Sequence, residues 1–169
     1  GRFPVCALSP RDRARAPDSV CMNTSDNQSP AEAAVRELVA TLTQGIRDKD
    51  VDRVMSVFAP DVVSFDLGPP LRHGGGAEFR KRWLELFEAV PGAIEYEVRD
   101  LHITAGEAVA FSYSLNRTCW TGPDGGKTSR WVRWTACYRR MDGRWLIVHE
   151  QVSVPVDVRS GQAALDLTP

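Results

Sequence analysis

The sequence predicts an α+β fold in which three N-terminal helices pack on a curved, mostly antiparallel β-sheet and enclose a pocket. Three observations point there. Apolar residues recur at spacings of three and four from Ser29 to about Val90, and from Ala93 onward the period falls to two. Between the helical segments lies Asp61-Val62-Val63-Ser64-Phe65-Asp66, a short strand broken by Gly68-Pro69-Pro70, so that an acidic residue stands where strand becomes loop. Asp66 shares a strand face with Ser64 and Val62 and opposes Phe65 and Val63, which makes it a candidate general base if that face looks into an apolar cavity.

Length and composition exclude several classes. A chain of 169 residues, 43% hydrophobic and 25% charged, suits one compact domain with flanking tails. Its 21 Lys and Arg against 22 Asp and Glu give a net charge of −1, with no basic excess to hold nucleic acid. No apolar run approaches the roughly 20 residues that cross a bilayer. Cys6, Cys21, Cys119 and Cys137 show neither metal-ligand spacing nor a disulfide framework, and read as reduced thiols of a cytoplasmic protein. No metal is expected.

Residues 1–28 carry little apolar periodicity and are expected to form a disordered tail, without the apolar run of a secretory signal; Met22 is a candidate natural start. The domain spans residues 29–157, and residues 158–169 form a C-terminal tail. Ser29-Pro30-Ala31-Glu32 is a capping box that opens a first helix with Val35, Leu38, Val39, Leu42 and Ile46 on one face. Asp50 caps a second helix carrying Val51, Val54, Met55 and Phe58, stopped by Pro60. Gly74-Gly75-Gly76 opens a third, with Phe79, Trp83, Leu86, Phe87 and Val90; without a following Lys-Ser/Thr these glycines read as a turn and not a phosphate loop.

Four strands follow. Ile94, Tyr96 and Val98 alternate in one phase and Leu101 and Ile103 in the other, which predicts a bulge near Arg99-Asp100. Folding Met141-Asp142-Gly143 as a three-residue hairpin sets Thr135 opposite His149, Arg133 opposite Gln151 and Cys137 opposite Ile147. The preceding turn sets Tyr113 beside Thr135 and Cys137 opposite Phe111. One face then holds Val109, Phe111, Tyr113, Leu115, Trp131, Arg133, Thr135, Ile147, His149 and Gln151, an apolar wall with a few polar groups as in a small-molecule pocket. The opposite face, with Val132, Trp134, Tyr138, Val148 and Val152, is too apolar to leave in water. Helices cover only one face, so this second face is expected to form a homodimer.

The order of elements resembles the nuclear-transport-factor-2-like superfamily with its cystatin-like cone, and within it the SnoaL-like and ketosteroid-isomerase-like members. The residues that carry the resemblance are Phe58-Ala59-Pro60-Asp61 leading into Phe65-Asp66, the Trp131-x-Arg133-x-Thr135 strand, and the segment from Asp142 to Pro155. The resemblance implies that Asp66 matches the isomerases' proton-shuttling aspartate. Their oxyanion-hole tyrosine and protonated aspartate fall near Leu42 and near Trp134 or Thr135, so those donors do not carry over. A His-x-His-x-Ser-x-Pro ending of related proteins has Gln151 in place of its second histidine.

Two functions are consistent with these residues. One is a cofactor-independent enzyme transferring a proton next to a carbonyl of a small apolar compound, of isomerase, cyclase or dehydratase type. Asp66 is its base, His149, Arg133 and Tyr113 hold or protonate the oxygen, and Trp83, Phe111, Trp131, Thr135 and Gln151 line the site. The other is a non-catalytic binding or dimerisation module. For His149 the simpler alternative is a sheet histidine bonded to Thr135 or Gln151; for Arg133, charge neutralisation; for Tyr113, packing.

Overall fold

Ser29 opens the ordered chain as the capping box predicts: its hydroxyl accepts the N–H of Glu32 at 3.1 Å, and the Glu32 carboxylate accepts the N–H of Ser29 at 3.1 Å. The computed structural model describes residues 29–122 and 124–169; the expected tail over residues 1–28 lies outside the described residues. Helix α1 runs Pro30–Asp48, and Lys49 ends it in the left-handed conformation (φ 54°). Asp50 caps α2, Val51–Met55, by accepting the N–H of Arg53 at 3.0 Å. Helix α3, Gly76–Ala89, follows a backbone reversal at Gly75 (φ 82°). No helix among the described residues is long and apolar enough to cross a membrane.

The strands are β1 (Phe58–Phe65), β2 (His73–Gly74), β3 (Ile94–Ala105), β4 (Val109–Thr121), β5 (Lys127–Met141) and β6 (Arg144–Ser153). They form one curved, unclosed sheet in the order β2-β1-β6-β5-β4-β3, antiparallel except where β1 runs parallel to β6. Pro60 does not stop a helix. It lies inside β1, which begins at Phe58 opposite Ile147 and is irregular between Phe58 and Val63, where a missing N–H is tolerated.

Helix α1 lays Val35, Leu38, Val39, Leu42 and Ile46 against the sheet, where they join Phe58, Phe79, Trp134, Tyr138 and Ile147 in one core. The close approach of α1 and α2 depends on Gly45, whose absent side chain leaves room for Val54; a Cβ there would lie 3.0 Å from both the Val54 backbone nitrogen and its Cγ2. The predicted bulge in β3 is present: pairing with β4 shifts between Arg99 and His102, and Asp100 takes φ 54°.

The last hairpin differs from the expected one. Asp142 (φ 49°) and Gly143 (φ 80°) form a two-residue loop, so Met141 pairs with Arg144. Farther along, Tyr138 pairs with Ile147 but Cys137 with His149, so Val148 is an extra residue in β6. The two departures add up. Thr135 therefore pairs with Gln151 and Arg133 with Ser153, not with His149 and Gln151. The β4–β5 register is as expected, with Tyr113 beside Thr135 and Phe111 beside Cys137.

The two sheet faces exchange roles relative to the sequence expectation. Ser112, Ser114, Asn116, Trp134, Ala136 and Tyr138 are buried beneath the helices, whereas Phe111 and Tyr113 are about half exposed, 45% and 50%, on the outer face. The helices cover the face with the larger buried payload. Ser114 sits beside Trp134 across the β4–β5 pair, and small residues on β4 make space for the indole and for Tyr138. The buried serines stay satisfied, because Ser112 Oγ bonds the Tyr138 hydroxyl at 2.7 Å and Ser114 Oγ donates to Asn116 Oδ1 at 2.7 Å. The C-terminal segment closes a small loop in which Val156 bridges Ala163.

Candidate functional site

The end of β1 and the exposed edge of α3 meet in a charged cluster. Asp66 Oδ1 accepts the N–H of Leu67 at 2.7 Å, and Oδ2 forms an ion pair with the Arg82 guanidinium. Arg82 Nη1 also donates to the ring of His73, 3.0 Å from Nε2. His73 is buried, at 3% exposure, so the short strand β2 packs an imidazole beneath the guanidinium and holds it in place.

Period two carries the same strand face from Asp66 back to Ser64, which is fully buried. Its hydroxyl donates to Glu150 Oε1 at 3.0 Å, and Trp134 Nε1 donates to Glu150 Oε2 at 2.9 Å. Glu150 is thus a carboxyl under the helices, 6% exposed, held by neighbouring strands on both sides. Burial pushes its pKa above the usual carboxyl value, and the Asp66 charge adds to the rise; the Trp134 and Ser64 hydrogen bonds and Arg82 act the other way. Desolvation is the dominant effect.

Across the cavity Tyr96 accepts a hydrogen bond from Asn116 Nδ2 at 2.8 Å. Desolvation and the nearby Glu150 push its phenol up from the ordinary value, keeping it a neutral O–H donor. These groups and an apolar wall bound a cavity of about 280 Å³. The wall comes from Leu42 and Ile46 of α1, Phe79, Trp83 and Leu86 of α3, and Trp120, Val132 and Val152 of the sheet. The cavity is thus an apolar concavity with a few polar groups.

Of the residues singled out from sequence, Asp66 and Trp83 line this cavity. The others do not meet them there. Arg133, Tyr113, Phe111, Thr135 and Gln151 are exposed, and Trp131 is half-buried on the outer face beneath Arg99, whose guanidinium carbon lies 4.6 Å from its ring centre. His149 Nδ1 donates to the Val63 carbonyl at 2.8 Å and its ring stands edge-on to Phe65, with centroids 4.7 Å apart. That hydrogen bond takes the place of the alternative one to Thr135 or Gln151, and His149 does not line the cavity with Asp66. The physical reason is the extra residue Val148, which turns His149 outward and Glu150 inward.

Glu150, Arg82, His73, Tyr96 and Asn116 were not singled out from sequence. A signal existed for Glu150: it is the one charged residue in the alternating apolar set Val148, Val152 and Val154. His73 has no comparable signal, since its burial depends on where β2 docks.

Comparison with known proteins agrees with the fold. Residues 35–157 match the family model for the SnoaL-like domain, and the chain belongs to that family. No curated protein matches the sequence. Among solved structures, the chain is similar to an NTF2-like protein of unknown function from Pseudomonas putida KT2440, with 29% identity, 82% of this chain and 96% of that chain covered, and a TM-score of 0.75. It shares the fold of a ketosteroid isomerase-like protein from Erwinia carotovora atroseptica SCRI1043, at 20% identity, 72% and 93% coverage and a TM-score of 0.62. It also shares that of a protein of unknown function with a cystatin-like fold from Nostoc punctiforme PCC 73102, at 15% identity, 72% and 88% coverage and a TM-score of 0.61.

The raised value of Glu150 has a consequence for stability. The native state binds this proton more tightly than the unfolded chain, so the stabilisation is complete below the ordinary value of 4.5 and is lost as pH rises through the folded value. Urea unfolding across a pH series is expected to show a decline in wild-type stability above pH 4.5 that is absent in Glu150→Gln. Equal pH dependence in both proteins would contradict the assignment.

Proposed function

We propose that the protein is an enzyme that transfers a proton next to the carbonyl of a small, largely apolar compound, in a reaction of isomerase, cyclase or dehydratase type. The observation that supports this reading is the presence, at one cavity, of two carboxyl groups in opposite environments: Asp66 in an ion pair with Arg82, and Glu150 desolvated with a raised pKa. Such a divergence separates a base from an acid. Asp66 removes the proton on the carbon next to the carbonyl, and Glu150 gives its proton to the carbonyl oxygen as the enol forms. Tyr96 supplies a second neutral donor to that oxygen. Protonated Asp66 then delivers its proton either to another carbon of the conjugated enol, which isomerises the compound, or to a neighbouring hydroxyl, which leaves as water, while Glu150 takes back the proton from the enol oxygen. The step needs no cofactor.

A ligand-binding module without chemistry is the second reading, favoured by one observation: both Glu150 oxygens already accept hydrogen bonds from Ser64 and Trp134, as in a purely structural network. Solvent exchange distinguishes the two. With 2-tetralone in deuterium oxide, followed by proton NMR, the wild type is expected to accelerate exchange beside the carbonyl. Asp66→Asn and Glu150→Gln should each slow it by about a hundredfold or more, the usual contribution of a positioned acid or base. Exchange at the wild-type rate in either variant would remove that residue's role, and no acceleration by the wild type would favour the binding module.

We also propose that two copies associate through the outer sheet face. Phe65, Val109, Phe111 and Tyr113 are exposed on it, at 42%, 64%, 45% and 50%. Its four long strands, about 4.8 Å apart and roughly 40 Å long, offer about 800 Å², the share each partner contributes to a standard interface. This is the face opposite to the one the sequence pattern indicated. Light scattering at micromolar concentration should give twice the chain mass of 18.7 kDa, and Phe111→Glu should halve the measured mass. A monomeric wild type would overturn the proposal.

A further inference from the structure

The cavity holds a cation that the proton-transfer scheme does not use. Arg130 lines it from the start of β5, is half-buried, and pairs across the sheet with Thr118, another lining residue. Among the described residues it makes no ion pair and no side-chain hydrogen bond, whereas Arg82 is committed to Asp66 and His73. A guanidinium drawn out of water toward an apolar wall, without a counter-charge, calls for an anionic partner.

Two further features point the same way. The indole N–H of Trp83, also on the cavity, is buried and finds no acceptor among the described residues. The Tyr96 hydroxyl accepts from Asn116, and its own proton has no acceptor among the described residues. The lining is therefore rich in donors and poor in free acceptors, since Asp66 is taken by Arg82, and Glu150 by Ser64 and Trp134. Of the two guanidinium groups on the lining, Arg82 and Arg130, only Arg82 has a carboxylate partner among the described residues.

We propose that the cavity selects a ligand carrying a carboxylate, which Arg130 binds at the end away from Glu150. The strand register supports the separation. Glu150 pairs with Ala136 and Arg130 lies six residues earlier on β5, about 20 Å along the strand. The long Arg130 side chain and the body of a one- or two-ring compound span much of that interval. This inference rests on the reading of the cavity as the substrate site and adds a substrate class to it: an apolar carbonyl compound with an acid group at its far end. Arg130 is then a specificity-determining residue.

The test uses two probes of nearly equal shape, 2-naphthoate and 2-naphthamide, titrated calorimetrically into the wild type, Arg130→Gln, Arg130→Lys and the outer-face control Arg133→Gln. The wild type and the control are expected to prefer the carboxylate by at least about tenfold, the worth of a charge-assisted hydrogen bond. Arg130→Gln should lose that preference while binding the amide as before, and Arg130→Lys should retain part of it. Equal binding of the two probes by the wild type, an undiminished preference in Arg130→Gln, or no binding of either probe would overturn the proposal. The readout is independent of chemistry. A carboxylate preference lost in Arg130→Gln alongside no exchange activity would keep the anion site and discard proton transfer, and exchange activity without the preference would do the reverse.

Discussion

The hydrogen-bonded tie from Ser64 through Glu150 to Trp134 is the interaction on which the rest of this site depends. It crosses three adjacent strands, β1, β6 and β5, at the only parallel junction in the described sheet. A buried carboxyl is costly unless its oxygens are satisfied, and here each oxygen has a donor from a different neighbouring strand. Because Ser64 must point at Glu150, the strand period brings Asp66 to the same side, where α3 meets it with Arg82. Because Trp134 must donate to Glu150, its indole forms part of the cavity wall. One polar contact thus positions a charged edge and an apolar wall together.

What makes that tie possible is a single extra residue. Without Val148 as a bulge, β6 would keep the phase set by Ile147, and His149 would lie under the helices while Glu150 met solvent. With it, Ile147 and Glu150 are both inward, at 0% and 6% exposure. A histidine in the place of Glu150 would have offered different chemistry. The observed phase supplies instead a carboxyl in a desolvated environment, and leaves His149 anchored to the Val63 carbonyl as part of the parallel β1–β6 junction.

Local features were legible in the sequence. The capping box at Ser29, the apolar stripe of α1, the Asp50 cap, the irregularity at Asp100 and the β4–β5 register all follow from neighbours within a few residues. Asp66 and Trp83 were also placed at the cavity, since a strand-ending acid and a helix stripe need no distant partner to orient them. The face assignment did not follow. The shorter loop and the bulge shift the β5–β6 register by one residue each, so together they leave His149 and Gln151 on the face of Thr135, as expected, and move Ile147 to the other face. The pattern of β4 also misleads: Phe111 and Tyr113 look like core residues and Ser112 and Ser114 like surface, yet the serines are inside because Trp134 and Tyr138 occupy the space beside them. Hydrophobicity alone does not report which face has room. Arg130 shows the same effect, lining the cavity one pleat away from Trp131, which was expected there.

The proposed proton transfer turns on the protonation state of one side chain, since only a neutral Glu150 would separate an acid from a base at this cavity. The most direct measurement is the infrared carboxyl band of the wild type minus that of Glu150→Gln, recorded through a pH titration. A protonated-carboxyl band specific to Glu150 that persists well above pH 4.5 is the predicted result. A band that disappears with an ordinary glutamate titration near that value would contradict the account.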